Sequence, residues 1–106
     1  MGMDSISPNE AVSYIGKNGV LFVDLREAEE YQAGHIPGAV RMDHEVLLKR
    51  REELKRYKMV ILYCERGNAS LLAARELRNL PIEIRSIAYG MGGYQGPLSR
   101  NRRNRF

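Results

Sequence analysis

Cys64 is the only cysteine among 106 residues, and its neighbours give the thiol a chemistry. Val60-Ile-Leu-Tyr63 precedes it, an apolar, β-branched and aromatic run with the composition of a buried strand. Glu65-Arg66-Gly67-Asn68-Ala69-Ser70 follows, polar and turn-forming. Leu71, Ala74 and Leu77, with Leu80 nearby, then mark the apolar face of a helix. A thiol at a strand end whose loop feeds a helix meets free backbone N–H groups and the positive end of the helix dipole. That setting favours thiolate over thiol. It also suits an anion or a terminal sulfur resting in a ring of amides. The competing reading makes Cys64 a small buried hydrophobe, the usual role of a lone cysteine at a strand end. The polar loop after it turns the sulfur away from a closed core and favours the reactive thiol.

Other chemistries have less support. One cysteine forms no internal disulfide and no thiolate metal cluster. His35 and His44 lack zinc-site spacing to Cys64, so no metal and no cofactor is expected. A net charge of +4 hints at nucleic acid until it is located. Arg100, Arg102, Arg103 and Arg105 crowd the last seven residues, and without them basic and acidic residues balance at 13 each. The basic character belongs to a tail, residues 99–106, with no apolar period and the composition of a disordered segment. A solvated end is its plain reading; a weak contact with RNA or an acidic partner is the functional one. No apolar run approaches a membrane span. The first residues show no basic region with an apolar signal core, and Ile6 breaks the myristoylation pattern that Met1-Gly2 begins. A cytoplasmic protein with no membrane partner is the expectation.

The elements that must position Cys64 read as strands alternating with helices. Ser7 caps a helix that begins at Pro8, with Glu10 placed for a capping box, burying Ala11, Val12 and Ile15 and stopping near Gly16. Val20–Val23 is a short buried strand ending at Asp24-Leu25-Arg26. Glu27–Ala33 is a helix ended by Gly34, and Pro37-Gly38 a turn. Ala39–Met42 is a second strand, and Asp43 caps a charged helix reaching about Tyr57. Met59–Tyr63 is the strand before the cysteine. Asn79-Leu80-Pro81 ends the helix after it, and Ile82–Ile87 alternates as another strand. Gly90, Gly92, Gly93 and Gly96 predict a flexible segment around Tyr94. Such an order gives a parallel sheet with helices on both faces, binding ligands beyond the C-terminal strand ends, where Asp24, Cys64 and Tyr89 gather.

Four segments, in order, resemble the single-domain rhodaneses: Val23-Asp24-Leu25-Arg26-Glu27, Gly34-His35-Ile36-Pro37-Gly38-Ala39, Tyr63–Ser70 and Gly90-Met91-Gly92-Gly93-Tyr94. The resemblance covers roughly residues 5–98. It implies a rhodanese-like three-layer α/β/α fold around a central, mainly parallel five-stranded sheet, and sulfur transfer through a cysteine persulfide. Cys64 matches the nucleophile, and Glu65, Arg66, Gly67, Asn68 and Ala69 match the loop whose amides cradle the persulfide. Ser70 and Asn68 hold that loop or cap the next helix. Asp24 and Arg26 match positions that tie loops together. His35 is expected to bond nearby backbone rather than move a proton. Tyr94 stands where many members carry tryptophan, lining the pocket or packing. Ala69 stands where many carry arginine, and Glu65 adds a negative charge beside the nucleophile; both changes weigh against thiosulfate as donor.

The resemblance implies a small sulfur donor and an external thiol or protein acceptor, since no second cysteine resolves the persulfide. A non-catalytic sulfur-carrier or regulatory module is the alternative, because fold does not fix function. A phosphatase or arsenate reductase fits less well. Its loop normally closes with an arginine six residues after the cysteine, and position 70 is serine.

Overall fold

The computed structural model describes residues 4–100. Five strands form one sheet in the order β1-β5-β4-β2-β3, every neighbouring pair parallel. The strands are β1 (Ser5–Ile6), β2 (Val20–Asp24), β3 (Val40–Arg41), β4 (Met59–Tyr63) and β5 (Glu83–Ile87). Between them run α1 (Pro8–Val12), α2 (Ala28–Ala33), α3 (His44–Lys49) and α4 (Asn68–Glu76).

β4 is the centre of the sheet, and all five of its residues are buried. Its alternation divides the core. Met59, Ile61 and Tyr63 pack with Ala11, Phe22, Ile36, Ile87 and Tyr94 on one face. Val60 and Leu62 pack with Leu47, Leu54, Ala73, Ala74 and Leu77 on the other. A strand covered on both faces has no need of a polar side, which explains its unbroken apolar sequence. The result is the three-layer α/β/α arrangement.

Local chemistry sets the helix ends. The Ser7 hydroxyl accepts the Glu10 N–H at 3.0 Å and starts α1. Glu27 and Glu30 form a reciprocal capping box at the head of α2, with Gly34 at its end.

Several elements differ from the sequence expectation. α1 ends at Val12 rather than near Gly16, and of Ala11, Val12 and Ile15 only Ala11 is fully buried. The charged stretch 43–57 is not one helix: α3 stops at Arg50, and Arg51–Arg56 forms a separate 3₁₀ turn. Leu47 and Leu54 are buried, but the residues from Lys49 to Glu53 are all charged, with no apolar stripe to hold a straight helix on the sheet. Gly90–Gly93 is a 3₁₀ turn rather than a loose segment. β1 was unforeseen; two residues carry no periodicity. At the other end, Ser99 exchanges backbone hydrogen bonds with His35, and Arg100 Nε donates to the Ala33 carbonyl at 2.9 Å. The rest of the basic tail, residues 101–106, lies outside the described residues.

Candidate functional site

From β2 the chain steps outward to β3, then returns past β2 to β4 and on to β5. The winding reverses between β2 and β4, and in open parallel sheets the crevice at such a reversal is where ligands bind. A cavity of about 300 Å³ opens there. Leu25, Arg26, Glu27 and Glu30 line it from the β2 side; Cys64 and its loop line it from the β4 side.

Cys64 is 7% exposed and lines the cavity. Sγ accepts the Gly67 N–H at 3.1 Å and the Ser70 N–H at 3.4 Å, and lies 3.5 Å from Ser70 Oγ. Burial, the largest single influence, pushes the thiol pKa up. The Ser70 hydroxyl and the amides of Ser70, Gly67 and Arg66 outweigh it, and the net shift is down. The loop therefore offers converging donors to negative charge on sulfur.

Gly67 makes this curl. It caps α4 at φ +100°, a left-handed conformation that glycine takes without strain, and a Cβ there would stand 3.0 Å from the Tyr89 amide nitrogen. The turn at Gly90–Gly93 braces the loop from below. Met91 N–H donates to the Cys64 carbonyl and Gly92 N–H to the Glu65 carbonyl, each at 3.0 Å. Sequence reasoning missed this brace, and it missed Ser86. The buried Ser86 hydroxyl lies 2.7 Å from that of Ser70. A serine two residues after Ile84, on the face of β5 that the alternation buries, was the available signal.

Asp24 is fully buried at the end of β2. It accepts the Arg26 N–H at 2.8 Å and the Arg26 guanidinium through Nη2 at 2.8 Å. Arg26 Nη2 also donates to the Gly34 carbonyl at 2.7 Å. Burial would lower the Arg26 pKa, but the hydrogen bond and charge of Asp24, with Glu65 adding, raise it. Tyr63 is pushed far above its ordinary range by burial and then by the Asp24 charge, so its hydroxyl stays protonated while it accepts the Ile36 N–H. His35 stacks on Tyr31 with ring centres 3.8 Å apart, and its Nδ1 bonds the Tyr31 carbonyl at 2.8 Å. Tyr94 is not among the cavity-lining residues; it packs in the core and donates to the Pro97 carbonyl.

The structure thus brings the Cys64 loop and Arg26 to one cavity, and leaves Asp24, His35 and Tyr94 behind it. At the rim, Glu65 lies 3.7 Å from Arg26, while Ala69 supplies no cation. Among the described residues Arg66 has no ion-pair partner.

The chain matches the model of the rhodanese-like domain over residues 7–96. It is 34% identical to a tRNA sulfurtransferase of Desulfurococcus amylolyticus over 92% of its own length, yet it spans only 21% of that relative. It is 30% identical to a thiosulfate sulfurtransferase of Pseudomonas savastanoi, the match covering 66% of each chain. The crystal structure of a rhodanese-like domain protein from Staphylococcus aureus superposes with a TM-score of 0.78 over 93% of this chain and 99% of that one, at 22% identity.

Proposed function

We propose that this chain, which belongs to the rhodanese-like domain family, is a sulfurtransferase that carries sulfane sulfur on Cys64. The observation that carries the reading is Cys64 Sγ under the Gly67 and Ser70 amides at the floor of the inter-strand cavity. Relatives named for sulfur transfer support it.

The Cys64 thiolate attacks the outer sulfur of a donor. A new S–S bond forms to Cys64, the donor's bond to that sulfur breaks, and the donor leaves with the bonding electrons. The terminal sulfur of the persulfide carries the negative charge under the loop amides. A thiolate or cyanide acceptor then attacks that sulfur, and Cys64 leaves as thiolate. The amides of Arg66, Gly67 and Ser70 are fixed before reaction, so charge moves from one sulfur to the next without reorganising the loop. The Ser70 hydroxyl, within reach of the Gly67 carbonyl at 3.3 Å, holds the start of α4, while Asn68 makes no side-chain cap there and lines the cavity instead. Asp24, Arg26 and His35 hold the surrounding loops. The reading needs no metal or cofactor. It carries the cytoplasmic setting with it, since a lone thiolate nucleophile stays reduced there.

The donor is a persulfide rather than thiosulfate. Glu65 repels a dianion at the mouth, and Ala69 offers no compensating charge. A phosphatase reading loses its anchor, because the position that would hold a bidentate cation is the buried Ser70.

Intact-mass analysis after incubation with glutathione persulfide tests the proposal. The expected result is a gain of one sulfur on the wild-type chain, none on Cys64→Ser, and thiocyanate release on adding cyanide. Turnover by Cys64→Ser would overturn it; stable loading without discharge to any thiol would make the chain a carrier.

A further inference from the structure

Tyr89 is the only non-glycine residue with a positive φ among the described residues, at φ 65° and ψ −1°. It is also the most exposed large hydrophobic side chain among them, at 74%. Both facts sit beside the nucleophile. The Tyr89 backbone packs on Gly67, and the turn it opens donates to the carbonyls of Cys64 and Glu65. Glycine would make this turn without strain, so what tyrosine adds is the ring itself, held out to solvent at the cost of a disfavoured backbone. Across the loop, the cavity mouth carries the exposed carboxylates of Glu27, Glu30 and Glu65. The Arg26 guanidinium faces them but is bound to Asp24 at 2.8 Å, which leaves Arg66 as the one uncommitted cation on the lining.

We infer that the physiological sulfur partner is a protein whose transferring cysteine lies in a basic segment, seated over the mouth with Tyr89 as its aromatic anchor. The inference rests on the sulfurtransferase reading and names the partner of the same site. An exposed amphipathic ring whose backbone lies against Gly67 of the loop, together with an acidic rim at the mouth, fits a cationic peptide segment. The same rim repels a phosphodiester backbone. In the forward direction the Cys64 thiolate takes the outer sulfur of the partner's persulfide, and the partner cysteine leaves as thiolate.

Two peptides of equal length, each bearing one cysteine persulfide, test this: one flanked by lysines, one by glutamates, with glutathione persulfide as the small reference donor. At low ionic strength the lysine peptide should exceed the glutamate peptide in kcat/KM by about tenfold, and the gap should narrow with salt. Glu27→Gln and Glu30→Gln, which keep the capping acceptors, should narrow it too. Tyr89→Gly frees the backbone and removes the ring. It should raise Tm while lowering the ratio of lysine-peptide to glutathione-persulfide kcat/KM about tenfold, through KM. Equal rates for the two peptides, or a ratio unmoved in Tyr89→Gly, would overturn the inference. So would a short RNA that competes for the mouth where the lysine peptide has no advantage. Calorimetric binding of the unmodified lysine peptide needs no sulfur chemistry. If glutathione persulfide leaves no sulfur on Cys64, the transfer reading fails, and this titration still decides whether the mouth and Tyr89 dock a basic segment.

Discussion

The hydroxyl of Ser70 stands between two groups: Ser86 Oγ at 2.7 Å on one side and Cys64 Sγ at 3.5 Å on the other. Ser70 has one proton and a third acceptor in reach, the Gly67 carbonyl at 3.3 Å. When Cys64 is ionised, a donation from Ser86 to Ser70 frees the Ser70 proton for the sulfur. The pair is buried, so water does not compete for the role. Ser70→Ala should move the pH midpoint of Cys64 alkylation up and slow alkylation at pH 7 by about tenfold. Ser86→Ala should do the same more weakly, by about threefold, and Ser86→Thr should restore part of the loss. An alkylation profile unchanged in both variants would leave the amides alone in charge of the thiol. The linkage has a definite sign. The folded thiol pKa is depressed, so its stabilising contribution is present above the unfolded thiol pKa and fades as pH falls through the folded value. Cys64→Ser should remove that slope from the stability curve.

Asp24→Ala should act on stability first. It strips a fully buried carboxylate from Arg26, whose side chain is only 8% exposed, and it removes the tie between the end of β2 and the loop before His35. Breaking one partner of a buried pair costs about 3 kcal/mol. In a domain of this size that lowers Tm by roughly 10–20 °C. Thermal melts beside single-turnover rates decide the case: an unchanged Tm with lost transfer would make Asp24 a participant in the chemistry.

Gly90→Ala should disable the site from beneath. A Cβ at this φ of +57° would overlap the Cys64 carbonyl oxygen and come within 2.7 Å of that of Glu65. Both are backbone atoms of the Cys64 loop and have nowhere to retreat. The variant should lose about 2–4 kcal/mol and, in whatever remains folded, react more slowly with iodoacetamide. Gly92→Ala is the control, since its Cβ would meet the Glu65 carbonyl oxygen at an ordinary 3.5 Å.

The legibility of this chain followed burial. β4 was readable to the residue, because burial on both faces leaves Met59–Tyr63 wholly apolar. The start of α1 was readable from Ser7 and Pro8, where capping chemistry is local, but its end at Val12 was not. β1 was not: Ser5–Ile6 is a strand only because β5 offers an edge to it. The Gly90–Gly93 turn was misread as flexible because its order comes from the carbonyls of Cys64 and Glu65, each 27 residues before its donor, which no window along the chain contains. The thiol and the loop that curls around it are contiguous, so Cys64 to Ser70 could be found by inspection. The pairing of Ser86 with Ser70 could not, since the two lie 16 residues apart and meet only once α4 packs on β5.

Glu65→Arg tests how the mouth selects its donor. Glu65 is about half exposed and lies 3.7 Å from Arg26, a guanidinium already bound to Asp24. The pairing is thus partial, and the carboxylate keeps much of its field at the cavity. Thiosulfate is a dianion. At about 6 Å and an effective dielectric near 20, each unit-charge pair is worth about 3 kcal/mol before screening. Solvent and salt at an open rim cut that to about 1 kcal/mol, roughly fivefold in rate. Reversing the charge replaces repulsion with attraction, so the ratio of kcat/KM for thiosulfate over glutathione persulfide should rise by about tenfold. The gain should shrink as ionic strength rises. The new arginine also faces Arg26 across the gap that Glu65 now bridges, which should lower Tm by a few degrees. The two effects separate in Glu65→Gln: repulsion disappears without a new cation, so about half of the selectivity gain, on a logarithmic scale, should appear with little change in Tm. A donor ratio unmoved in both variants at low salt would show that Arg26 already cancels Glu65, and selection against thiosulfate would then have to come from the missing cation at Ala69.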